Sequence, residues 1–75
     1  MSEKQIGILG YNSSNDRYGI LAMDLWVDDG LHCGECLEVY VDDEWVQDRL
    51  EMGDTWYLVN SKLKGNDLEG LRVRF

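Results

Sequence analysis

Apolar and polar residues alternate with a period of two over much of the chain, and this alternation predicts β-strands rather than helices. The clearest case is Leu37-Glu38-Val39-Tyr40-Val41, in which Leu37, Val39 and Val41 share one face and Glu38 and Tyr40 the other. Asp42-Asp43-Glu44 follows as a short acidic turn, and Trp45 to Met52 returns as the partner strand. Gly53-Asp54 makes a second turn before Thr55-Trp56-Tyr57-Leu58-Val59. Leu71-Arg72-Val73-Arg74-Phe75 alternates strictly, with both arginines on the outer face. Near the start, Ile6 to Leu9 and Tyr18 to Met23 flank Tyr11 to Arg17, a loop rich in turn-forming residues, and read as a hairpin. Residues 24 to 35 are expected to be irregular. A second break, Asn60 to Gly70, has room for one helical turn around Ser61 to Lys64. Only Glu44 to Met52 carries a spacing near the helical period, and its Trp and Val beside a turn suit a strand better.

About six short strands predict an all-β fold in one small domain spanning residues 1–75. Two architectures fit: a small SH3-like barrel, or a strongly bent five- to six-stranded antiparallel meander. The final strand is expected at an edge, where Arg72 and Arg74 would discourage pairing with a second copy. The oligomeric expectation is a monomer or weak dimer.

Three stretches add a resemblance: "YNSSNDRYGIL", "DGLHCGECLEVYVDDEWVQDRLE" and "TWYLV". They are similar to a family of short bacterial domains of unknown function found in Gram-positive bacteria and their mobile elements. The similarity extends over residues 5 to 75. It implies a bacterial cytoplasmic protein carried by a plasmid, integrative element or prophage. It brings no catalytic signature, so no functional residue is carried over.

Charge changes the picture most. The chain has 15 acidic and 7 basic side chains, a net charge of −8. That excludes general nucleic-acid binding, which depends on Lys and Arg neutralising phosphates, and argues against docking on anionic membranes. Residues 1–23 sum to zero, residues 24–54 to −10 and residues 55–75 to +2. An apolar content of 44% is too high for a disordered acidic tail. Met1 to Gln5 shows no basic region leading into an apolar one, so no leader is expected there. With only two cysteines, three apart, the chain lacks a secreted disulfide framework, and a reducing cytoplasm is expected.

His32-Cys33-Gly34-Glu35-Cys36 is the one cluster of soft ligands. A C-x-x-C turn holds half of a tetrahedral zinc site, with His32 as a third ligand, but the fourth would have to be a carboxylate or come from another chain. A redox role needs such a motif at a helix N-terminus, whereas this one leads into a strand beside Glu35 and Glu38. The plainer reading makes Cys33 and Cys36 small residues at a glycine turn. An EF-hand fails because Leu25 and Val27 fall where oxygen ligands are required. No nucleophile–histidine arrangement or phosphate-cradling loop is visible, and a 75-residue domain has little volume for a catalytic cleft once its core is filled. The expectation is therefore a non-enzyme with no cofactor.

What remains is interaction. A non-catalytic module is expected to bind a basic protein partner through an acidic face carrying aromatics, with no direct contact to nucleic acid or membrane. The residues expected in contact are Trp26, Tyr40 and Trp45 with Asp42, Asp43 and Glu44 around them. One alternative is a mobile-element inhibitor that mimics nucleic acid. Another is a small zinc-binding domain through Cys33 and Cys36, with His32.

Overall fold

Seven antiparallel strands form one sheet in a computed structural model that describes residues 4–75. Met1 to Glu3, part of the stretch searched for a leader, lie outside the described residues. The strands are β1 (Ile6–Asn12), β2 (Arg17–Ala22), β3 (Leu25–Asp28), β4 (Cys36–Val41), β5 (Glu44–Met52), β6 (Trp56–Leu58) and β7 (Arg72–Arg74). Their spatial order is β3-β2-β1-β7-β4-β5-β6. Two three-stranded meanders, β1–β3 and β4–β6, are thus joined side by side through β7. The final strand is central, not an edge as its arginines suggested. Its outer face carries Arg72 and Arg74, while Val73 is fully buried.

Tight hairpins follow from residues that tolerate left-handed backbone. Val41 pairs with Glu44, leaving Asp42 and Asp43 as a two-residue loop with φ of 52° and 66°. Positive φ at both central positions is the type I′ geometry, which matches the twist of the strands and favours Asp, Asn and Gly. Ala22 pairs with Leu25 around Met23 and Asp24, at φ of 54° and 63°. This second turn adds β3 inside the stretch expected to be irregular. A methionine at positive φ gives a weak turn signal, which is why the strand escaped the pattern. The one helical element among the described residues is a 3₁₀ turn, Gly65–Leu68, just after the position expected for it.

The inner face holds Leu9, Ile20, Leu37, Val39, Leu50 and Val73, closed over by Leu31, Trp56, Leu58 and Leu68. The outer face is crossed by a row of side chains. Trp26 pairs with Leu21, Leu21 with Ile8 and Ile8 with Arg72; on the far side of β7, Tyr40 pairs with Trp45. Gly10 and Gly19 sit opposite one another under the Trp26 indole. A Cβ on Gly19 would lie 2.3 Å from the Asp28 carbonyl oxygen and 2.8 Å from the ring.

The sheet curls strongly but does not close, so of the two expected architectures it is the open, bent antiparallel sheet, with seven strands, and not the SH3-like barrel. The two edge strands, β3 and β6, do not pair. The connection through Leu31 to Glu35 instead extends the inner ladders: Leu31 N–H donates to the Tyr18 carbonyl of β2, Gly34 N–H to the Leu50 carbonyl of β5, and Leu50 N–H to the Glu35 carbonyl. Across the opening the Trp56 indole N–H donates to the Asp16 carbonyl at 3.0 Å.

Candidate functional site

Buried Asp48 shows how the polar groups of this small core are held. It sits on β5 facing the interior, opposite Leu37, and only 2% of it is exposed. Its Oδ1 accepts from Arg49 N–H at 2.8 Å and Asn60 N–H at 2.7 Å, and its Oδ2 accepts from Ser61 N–H at 2.9 Å. Burial pushes this carboxyl up, but the N–H donors of Asn60, Ser61 and Arg49 outweigh it and hold the group below its ordinary value. Asp48 is therefore a structural anion that fixes the turn after β6. Period-two alternation places it on the core face but cannot say that a carboxylate there is satisfied.

The residues expected to contact a partner fall into two groups. Tyr40 and Trp45 pack against each other, ring centroids 5.1 Å apart, beside the exposed turn of Asp42, Asp43 and Glu44. Trp26 lies at the other end of the row, on β3 rather than in a loop, with the three strands β2, β1 and β7 between it and that pair. Tyr40 and Trp45 are half-buried, and the protein's own cations cover them. The Arg74 guanidinium stands 4.5 Å from the centre of the Trp45 ring and that of Arg72 5.7 Å from Tyr40. Arg74 also donates to both oxygens of Glu38, at 3.1 and 2.9 Å, while Lys4 binds the same carboxylate. Arg74 first and Lys4 second lower the Glu38 carboxyl to about 2. The positive tail of the sequence is thus folded onto its acidic middle, where it pairs with Glu38 and covers the two rings.

Uncompensated acid and aromatic side chains meet elsewhere. A cleft of about 470 Å³ opens where the β1–β2 loop, the β5–β6 turn and the 3₁₀ turn converge. Tyr11, Tyr18 and Trp56 line it together with Asp16, Asp54 and Glu69, and no Lys or Arg is among the lining residues. The walls are braced. Tyr11 and Tyr18 meet edge to face at 5.3 Å; Tyr11 Oη donates to Asp16 Oδ1 at 2.7 Å, and Tyr18 Oη to the Gly65 carbonyl at 3.0 Å. Glu69 Oε2 accepts Tyr11 N–H at 2.9 Å. The hydrogen bond to Asp16 raises the Tyr11 phenol, and burial followed by the Glu69 charge raises that of Tyr18, so both rings stay neutral donors. Among the described residues none of the three carboxylates forms a salt bridge. Asp16 and Glu69 lie outside the acidic middle of the sequence, so charge counted along the chain could not find this site. The one local signal was the pairing of Tyr11 and Tyr18 across a turn rich in Asn and Asp.

The cysteine cluster is not assembled into a centre. Cys33 and Cys36 are exposed and unbridged, and His32 Nδ1 accepts from the Arg17 guanidinium at 3.2 Å. No group of three or more His, Cys, Asp or Glu side chains among the described residues is arranged to hold a metal ion.

Comparison with known proteins adds a structural relative. A crystal structure of a protein from Ruminococcus gnavus, solved as a structural-genomics target, superposes with a TM-score of 0.78 at 47% identity, covering 95% of this chain and all of that one. No curated protein matches. Residues 7–75 match the family described as a domain of unknown function, DUF5348. The chain belongs to the DUF5348 family.

Proposed function

We propose that this domain is a non-catalytic interaction module that binds a basic protein partner at the acidic, aromatic-walled cleft. One observation carries the reading: three carboxylates from distant segments converge on aromatic walls with no cation of the protein's own among the lining residues. Elsewhere on the surface the acid–aromatic neighbourhood of Tyr40 and Trp45 is already occupied by Arg72 and Arg74. The turn of Asp42, Asp43 and Glu44 acts at longer range in this scheme, steering a positively charged partner toward an acidic molecule. The same proposal places the protein in a reducing bacterial cytoplasm, encoded by a mobile element. The two free cysteines support that compartment, and no helix among the described residues is long and apolar enough to cross a membrane.

The test is affinity capture with identification of the bound protein, followed by binding curves. Variants neutralised in the cleft (Asp16→Asn, Asp54→Asn, Glu69→Gln) and at the hairpin (Asp42→Asn, Asp43→Asn, Glu44→Gln) are compared with the parent. The captured partner should be basic and should bind the cleft variants markedly less well. Equal capture of the same partner by every variant would refute the proposal. Competition by duplex DNA would make the partner a nucleic-acid-binding protein and the domain its mimic.

A further inference from the structure

We infer that the cleft is a receptor for an arginine side chain presented by the partner; this rests on the function proposed above and names the group recognised. Shape and chemistry both favour guanidinium over ammonium. The lining combines the exposed ring of Tyr11, backed by the buried Tyr18 and Trp56, with carboxylates on three different segments, which suits a flat cation that stacks by its face and donates from its edge. Lysine, a compact and strongly hydrated point charge, would use the carboxylates but gain less from the walls.

Free acceptor capacity points the same way. Asp16 uses Oδ1 for the Tyr11 hydroxyl and Glu69 uses Oε2 for the Tyr11 backbone, which leaves Asp16 Oδ2 and Glu69 Oε1 without a partner among the described residues. Asp54, exposed in the turn after β5, has no hydrogen-bond partner there at all. The five N–H donors of a guanidinium, set in a rigid fork, match acceptors spread around a rim. The existing hydrogen bonds also hold Tyr11 and Asp16 in place before any ligand arrives, so little ordering cost is left for binding.

The experiment is a heteronuclear NMR titration of the 75-residue chain with three capped tripeptides, Gly-Arg-Gly, Gly-Lys-Gly and Gly-citrulline-Gly. The arginine peptide should shift the Trp56 indole N–H and the amides of Tyr11, Asp16 and Asp54, with a dissociation constant on the order of 1 mM. The lysine peptide should bind several-fold more weakly, and the neutral citrulline peptide at least about tenfold more weakly. Asp54→Asn, at an exposed turn position, and Glu69→Gln, which keeps an acceptor for Tyr11 N–H, should each weaken arginine binding about fivefold while the spectrum remains that of a folded protein. Equal affinity for the citrulline or lysine peptide overturns the arginine assignment. So do shifts confined to the Asp42–Glu44 hairpin, although these leave the basic-partner reading standing. If none of the cationic peptides binds and no basic partner is captured, both fall.

Discussion

Asp48→Ala tests the most consequential polar contact in the core. The substitution removes one carboxylate and leaves the N–H groups of Arg49, Asn60 and Ser61 without acceptors. A hydrogen bond to a charged group is worth about 1.5–3 kcal/mol net, and loss of a buried partner costs the desolvation of what remains. The turn relaxes and water reaches part of it, so the three losses do not add fully; we expect about 3–5 kcal/mol. A 75-residue domain has a total stability of about 4–11 kcal/mol, so this variant stands close to unfolding. Asp48→Asn separates charge from shape. Its carbonyl can still serve Arg49 and Asn60, but its amide opposes the Ser61 N–H, for a loss of about 2 kcal/mol. Urea melts followed by tryptophan fluorescence, to which buried Trp56 contributes with Trp26 and Trp45, measure both, and with an m-value of about 1 kcal/mol/M the Asn variant should shift its midpoint by about 2 M. If Asp48→Ala loses less than about 1 kcal/mol at unchanged m, the carboxylate does not pin the turn and the reasoning fails.

Gly19→Ala would drive a methyl into the Asp28 carbonyl and the Trp26 ring; a cost of about 1–3 kcal/mol is expected, and a neutral urea midpoint would contradict that packing. Asp42→Asn with Asp43→Asn keeps side chains suited to positive φ, so stability should stay within about 0.5 kcal/mol, whereas Asp43→Val should cost about 1–2 kcal/mol by calorimetry. Glu38 ionises below its unfolded range in the folded protein, so its contribution is fully present above its ordinary value of 4.5 and is lost as pH falls toward about 2. The Glu38→Gln variant should therefore show a shallower loss of thermal stability from pH 5 to pH 2 than the parent, and parallel curves would refute this linkage.

The strands were legible where turn chemistry and alternation agreed. Leu37 to Val41 and its return through Asp42-Asp43 lie within a residue of the pattern. β3 was not legible, because its exposed Leu25, Trp26 and Val27 alternate with nothing and its turn places a methionine where Asn or Gly is usual. Tertiary order was the larger gap. Period-two alternation assigns Arg72 and Arg74 to an outer face but is silent on which strands flank them. Once β7 lies between β1 and β4, those arginines reach Tyr40 and Trp45 and cover the rings expected to bind. The cleft was illegible for the same reason: Asp16, Asp54 and Glu69 become neighbours only when the sheet curls.

The position of β7 makes the domain divisible. Within the sheet, the meander of β1–β3 and that of β4–β6 touch no common ladder except the three-residue strand Arg72–Arg74. A chain stopped before Arg72 would hold two half-sheets, each with one unsatisfied inner edge and a missing Val73 at the centre of the core. Such a truncated chain should accept a synthetic peptide carrying residues 70–75, which would restore both ladders. A strand of three residues would then serve as the handle by which folding can be switched on from outside.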